Sequence, residues 1–128
     1  MEKITLAVNG SLMRGFALNE NLRSVNAQFI RESKTSDKYR MWSINDQYPA
    51  MQRATSGGKN LEVELYELTP NSLIHLLEME PPGLCMGKVE LVDEQWIFGI
   101  LGESFIIQGM KEITAWGGWR GYKSQGIK

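Results

Sequence analysis

One cysteine, Cys85, and one histidine, His75, are all that the 128 residues hold of these two side chains. A lone thiol excludes an intrachain disulfide framework and is the cysteine usage of a reducing compartment. Structural zinc takes about four Cys or His ligands, so the zinc-finger and ribbon classes are excluded, and no metal is expected. Triad-type catalysis would have to run through His75. An excess of basic residues is also lacking: 14 Lys and Arg stand against 15 Asp and Glu, a formal net charge of −1. That balance argues against a module that binds nucleic acid by neutralising phosphates. No apolar run reaches the roughly 18–20 residues of a membrane span. Met1-Glu2-Lys3-Ile4-Thr5-Leu6 enters a strand-like pattern directly, without a signal-peptide layout, so Asn9-Gly10-Ser11 carries no weight as a glycosylation site. These absences describe a cytoplasmic domain without cofactor, nucleic acid or membrane contact.

What is present is an ordinary globular balance, 42% hydrophobic and 23% charged, over a length that suits a single domain spanning residues 1–128. No repeat, low-complexity stretch or linker divides it. Ile4–Val8 reads as a short buried strand ending in a turn, and Ala17–Leu22 as one or two helical turns. Ala27–Glu32 and Tyr39–Ile44 read as strands joined by a hairpin-length connection, which makes Arg31, Lys34, Lys38 and Arg40 a solvated hairpin. Asn45–Tyr48 and Pro49 mark a loop. Leu61-Glu62-Val63-Glu64-Leu65 alternates strictly and continues to Leu68, the clearest half-buried strand. Thr69-Pro70 starts a helix, with Thr as N-cap and Pro at the first position, running to about Glu80 and stopped by Pro81-Pro82-Gly83. Met86–Val92 and Gln95–Leu101 form a hairpin around Asp93-Glu94. The pattern is α+β, mostly antiparallel and barrel-like, with few helices.

Three features can carry chemistry. The glycine-bearing turn Asn9-Gly10-Ser11-Leu12-Met13-Arg14-Gly15 can present backbone N–H groups to an anion, although Phe16-Ala17 stands where a phosphate-binding loop needs Lys and Ser/Thr. The plain alternative is an ordinary tight turn. On the helix, Leu73, Leu76 and Leu77 define the core-facing stripe, and at about 100° per residue Glu80 falls within their arc. A carboxyl there, at a helix C-terminus, has its pKa raised by desolvation and by the macrodipole, the direction expected of a proton-transferring group. If the helix frays at Pro81, Glu80 turns to water instead. The tail Trp116-Gly117-Gly118-Trp119-Arg120-Gly121-Tyr122 supplies either an aromatic wall with a carboxylate-binding guanidinium, or tryptophans that plug a barrel end beside a surface ion pair. His75 reads as a boundary or solvent residue, and Cys85 as an inert thiol of a strand.

The layout resembles the γ-glutamylcyclotransferase-like superfamily, in its loop Asn9-Gly10-Ser11-Leu12 after the first strand and its helix Leu73–Glu80. Asn9 stands where that superfamily usually has a tyrosine, and Pro81 where it commonly has a glycine. A closer resemblance is to the C-terminal domain of allophanate hydrolases and its free-standing relatives. It rests on Asn19-Glu20-Asn21-Leu22, Tyr39-Arg40-Met41-Trp42, Pro82-Gly83-Leu84-Cys85-Met86-Gly87-Lys88-Val89 and the segment from Glu112 to Tyr122. The sequence contains no amidase-signature pattern, so a complete allophanate hydrolase is not expected.

The resemblance implies an α+β, γ-glutamylcyclotransferase-like mixed β-barrel with few helices, holding a pocket between the Gly10–Leu12 loop and the helix end. It implies cyclotransferase-type chemistry: Glu80 takes a proton from a substrate α-ammonium, the amine attacks its own γ-carbonyl, and 5-oxoproline and an amine leave. Asn9, Gly10, Ser11 and Leu12 then bind the substrate carboxylate or developing oxyanion, with Arg120 and Tyr122 orienting it. The closer relatives imply instead that a small carboxylated-urea compound is bound or decarboxylated, held by the loop amides and by Arg53 or Arg120. A third reading is a non-catalytic module docking on a separately encoded amidase. A net charge near zero also permits a homodimer.

Overall fold

The structure, a computed structural model, describes residues 2–125; Met1 and residues 126–128 of the expected 1–128 unit lie outside the described residues. Five strands form the larger sheet. Its centre is β1 (Ile4–Val8), antiparallel to β5 (Glu62–Leu68) on one side and parallel to β7 (Trp96–Gly102) on the other. Outside these lie β2 (Gln28–Lys34) against β5 and β6 (Leu84–Glu90) against β7, giving the order β2-β5-β1-β7-β6. A second sheet, of order β4-β3-β8, contains β3 (Tyr39–Ile44), β4 (Tyr48–Arg53) and β8 (Lys111–Glu112). The helices are few and short: α1 (Asn19–Ser24), α2 (Pro70–Glu78), α3 (Ser104–Ile107) and α4 (Trp119–Ser124). Among the described residues no helix is long and apolar enough to cross a membrane.

Alternation places apolar residues on both faces of the larger sheet. Leu6, Val8, Tyr66 and Leu68 join the main core with Tyr39, Met41 and Met51 of the smaller sheet and Leu73 and Leu76 of α2. Ala7, Val63, Leu65 and Leu91 form a second cluster on the other face. The sheet curls until the chain beyond β2 meets the chain beyond β6: Thr35 bridges Leu91, flanked by Ser36 N–H to Glu90 C=O and Val92 N–H to Lys34 C=O, both 2.9 Å. The barrel-like expectation is met in this form, two sheets around one core with the edges of one touching, rather than a ring of strands closed along its length.

Three local expectations are corrected. β2 and β3 are no hairpin, because β2 pairs with β5 in the larger sheet and β3 with β4 and β8 in the smaller one, so the basic residues between them do not face one another across a ladder. The stretch read as a loop at Pro49 is strand β4, paired with β3 through a turn in which Asn45 and Asp46 adopt φ of 53° and 59°. Proline is tolerated because β4 is an edge strand. The larger sheet has its own irregularity at an edge: the register of β2 slips between Phe29 and Arg31, a bulge that leaves Ile30 unpaired. Cys85, expected inside, is exposed on edge strand β6.

Helix α2 positions the site. Thr69 caps it as its sequence implies, Oγ1 accepting the Ser72 N–H at 3.1 Å. Ser72 Oγ then donates to the Val25 carbonyl at 2.8 Å and pins the helix start. Leu73 and Leu76 are buried, so the leucine stripe faces the core. The regular helix ends at Glu78, and one further turn bond, Glu80 N–H to Leu77 C=O at 3.1 Å, carries the stripe on to Glu80 before two prolines remove the next donors. Gly83, at φ 97°, then reverses the chain into β6 where a side chain would collide with Ile106.

Candidate functional site

A cavity of about 210 Å³ opens where β1, α2 and the β3–β4 turn converge. Asn9, Gly10, Ser11, Leu12 and Glu80, five of the seven residues singled out from sequence, line it together. Val8, Leu18, Pro49, Leu84 and Ile100 supply apolar walls, and Gln47 and Tyr48 further polar groups.

Glu80 is half-buried against these walls. Burial pushes its carboxyl above the usual carboxylate range, and among the described residues no ionic partner pulls it back. The arrangement is the one the stripe leads to, and the alternative of a frayed helix end in open water is not what forms. The turn after β1 closes with Met13 N–H donating to Gly10 C=O at 2.9 Å, so Ser11 and Leu12 occupy its two central positions and their N–H groups take no part in the turn bond. Asn19 Nδ2 secures the turn from behind, donating to the Leu12 carbonyl at 2.7 Å. Gly10 packs edge-on against Pro49, leaving no room for a Cβ. Asn9 has a structural share: its buried amide donates to the Ile100 carbonyl at 3.0 Å, joining the end of β1 to β7.

Arg120 and Tyr122 are not brought to this cavity. Arg120, on α4, donates to Glu64 at 2.9 Å, to Glu62 at 3.2 Å and to the Arg14 carbonyl at 3.0 Å, behind the turn. The Tyr122 hydroxyl donates to Asp46 Oδ1 at 2.5 Å, and with Ser43 it holds the Asp46 carboxyl below its ordinary range. Arg53 is likewise spent on Glu90, at 3.0 Å, and lies outside the cavity. No guanidinium therefore faces a ligand there, and an anion would rest on amides and hydroxyls. Of the tail tryptophans, Trp119 is buried in the main core and Trp116 is exposed.

Sequence reasoning passes over Gln47, Tyr48 and Pro49, which reach the cavity only because the Asn45-Asp46 turn folds β4 back on β3; that dipeptide between two strand-like runs is the available signal. Among the described residues no group of three or more His, Cys, Asp or Glu side chains is placed to hold a metal ion. The chemistry available is that of a single carboxyl, Glu80, in an apolar, small-molecule-sized space that the turn after β1 also lines.

The sequence matches the family described as "Allophanate hydrolase C-terminal domain" over residues 4–124. It is 30% identical over 126 residues to the urea amidolyase of Saccharomyces cerevisiae, a match covering 93% of this chain and 7% of that protein. Among solved structures, a uropathogenic E. coli-specific protein superposes with a TM-score of 0.94 at 44% identity, over 97% of this chain and 98% of that one. Kluyveromyces lactis allophanate hydrolase superposes with a TM-score of 0.91 at 27% identity, over 100% of this chain and 22% of that one. The chain thus spans a small part of the curated relatives it matches and nearly all of the E. coli protein. A gamma-glutamyl cyclotransferase, at 15% identity and a TM-score of 0.55 over 87% of this chain and 70% of that one, shares the fold alone.

Proposed function

The chain belongs to the allophanate hydrolase C-terminal domain family, and from that premise we propose that its cavity binds a small carboxylated-urea compound and promotes its decarboxylation. The carboxyl of Glu80 gives its proton to the nitrogen that carries the carboxylate. The bond between that nitrogen and the carboxylate carbon breaks, its electron pair stays on nitrogen, and carbon dioxide leaves. For allophanate the products are urea and carbon dioxide, and solvent returns the proton to Glu80.

The observation that carries this reading is the isolated, desolvated Glu80 carboxyl. A raised pKa keeps a larger fraction protonated near neutrality, which suits a proton donor. The apolar walls work in the same direction, because a localised carboxylate loses more by desolvation than the charge-dispersed state in which carbon dioxide departs. The Ser11 and Leu12 amides supply orientation without a fixed cation that would hold the carboxylate back. In the larger relatives this region is a small part of a long chain, which supports an amidase as the partner of this domain.

The deciding experiment follows urea formation from allophanate, corrected for the buffer rate, with the native protein and with Glu80→Gln. Acceleration by the native protein that disappears in the variant is expected; equal rates in the two would refute Glu80 as the proton donor. The same samples are offered γ-glutamyl amino acids, because the fold also serves a gamma-glutamyl cyclotransferase. Release of 5-oxoproline dependent on Glu80 would replace the decarboxylation reading with the cyclotransferase one, Glu80 then acting as base.

A further inference from the structure

The groups behind the turn form one connected chain. Glu64, on inner strand β5, is fully buried, and four donors converge on its carboxylate. These are Arg14 N–H at 2.9 Å, Arg14 Nε at 3.2 Å, Arg120 Nη2 at 2.9 Å and the Tyr66 hydroxyl at 3.1 Å. Arg120 Nη1 holds the other polar group of the same residue, the Arg14 carbonyl. From Tyr66 the chain continues outward: Asn19 Nδ2 donates to the Tyr66 oxygen at 3.1 Å and to the Leu12 carbonyl at 2.7 Å. An unbroken path thus leads from α4 through a buried carboxylate to the backbone of a cavity-lining residue.

We propose that Glu64, Tyr66 and Asn19, with Arg120, are positioning residues that aim the Ser11 and Leu12 amides into the cavity; the proposal rests on the reading of that cavity as the substrate site. Between Gly10 and Gly15 the turn is flanked by the two residues that restrict the backbone least. It forms only short-range bonds of its own, Met13 N–H to Gly10 C=O and Phe16 N–H to Met13 C=O. Such a loop samples several orientations unless it is held from outside. Core stability alone does not call for a charge at position 64, because buried ion pairs replaced by apolar side chains of similar volume are often no less stable. What the polar solution adds is direction. The carboxylate takes one peptide N–H, Arg120 takes that residue's carbonyl, and Asn19 takes the Leu12 carbonyl, so the turn is tied at three separate peptide groups. The sequence places Arg120 in the site; the structure assigns it to the back of the wall.

Tyr66→Phe removes the middle link and keeps the ring, and Asn19→Ala cuts the same path at Leu12 without touching the buried carboxylate. In both, amide hydrogen exchange of peptides covering residues 10–15 is expected to rise about tenfold without ligand, while exchange of β1 and α2 stays unchanged. With allophanate, KM is expected to rise about tenfold while kcat and its pH midpoint are retained, because Glu80 is untouched. Unaltered exchange over residues 10–15 in both variants would overturn the proposal whatever the activity. A lower kcat per mole of protein at constant KM would do the same, because that pattern marks a loss of folded molecules. If the native protein turns over nothing, the decarboxylation reading fails and the exchange arm still decides the positioning role.

Discussion

Replacing Glu80 by Gln makes the protein more stable at pH 7–8 and leaves it nearly unchanged at pH 4. Desolvation raises the folded-state pKa of Glu80 above its unfolded value, and among the described residues no neighbouring charge or donor offsets it. Between those two values the folded state holds the proton more tightly than the unfolded chain, so stability falls as pH rises through this window and then levels off. Ionised Glu80 is thus a destabilising group in the folded protein, and the neutral amide of similar shape escapes the effect. Every unit of upward shift corresponds to about 1.4 kcal/mol. For a domain of this length 1 kcal/mol moves the melting temperature by roughly 4 °C. Calorimetric melts of both proteins at half-unit steps from pH 4 to 8.5 should give curves that coincide in acid and separate above the unfolded pKa, with Glu80→Gln melting higher. A variant that melts lower at pH 7.5, or a difference independent of pH, would show that the carboxylate is solvated or partnered, and the argument for a tuned proton donor would fall. A side chain kept at a stability loss that its amide would remove is what a functional site looks like thermodynamically.

Gly10→Ala sets a methyl 2.5 Å from Pro49 Cδ and 2.6 Å from Cγ, so the turn and the β4 edge must separate. A loss of about 1–3 kcal/mol is expected in urea unfolding, together with weaker ligand binding. Thr69→Ala removes the acceptor of the Ser72 N–H and should cost about 1 kcal/mol with an unchanged denaturant slope, a helix-start effect remote from the cavity. Glu64 titrates in the opposite sense to Glu80. Burial alone would raise its pKa, but the bonds from Arg14, Arg120 and Tyr66 together hold it low. Its contribution is therefore complete above the unfolded carboxyl pKa and is lost as pH falls through the folded one. Glu64→Gln should lose about 2–3 kcal/mol at pH 7, and melts showing the same deficit at pH 3 would contradict the ion-pair account.

The parts of the fold legible in the sequence are those set by neighbours in the chain. Thr69-Pro70, the leucine stripe and the Pro81-Pro82 stop locate α2 and bring Glu80 to the cavity, because capping, periodicity and proline all act within a few residues. The β6–β7 hairpin is local for the same reason. Long-range pairing is what the sequence withholds. β2 and β3 are both recognisable, yet nothing in either shows that one pairs with β5 and the other with β4 and β8. Alternation at 61–68 implies a solvated face, and Glu64 reads as outward; β5 instead lies between β1 and β2, with its second face covered by the turn and α4, and Glu64 is the most enclosed charge among the described residues. The carboxylate partners of Arg120 lie 56 and 58 positions away, beyond the reach of any local pattern.

The bulge in β2 bears on how the protein behaves at high concentration. An outer strand with a free row of donors and acceptors is a template on which another chain can add. β2 carries two adjacent, partly exposed apolar residues, Phe29 and Ile30. The extra residue twists the strand at that point, and the Arg14 guanidinium lies over the Phe29 ring with its carbon 3.9 Å from the ring centre. A chain shortened by Ile30 would present a straight rim, with Phe29 and Arg31 consecutive and still opposite Tyr66 and Leu65. Its folding would compete with edge-to-edge stacking, which the twist at that one residue opposes.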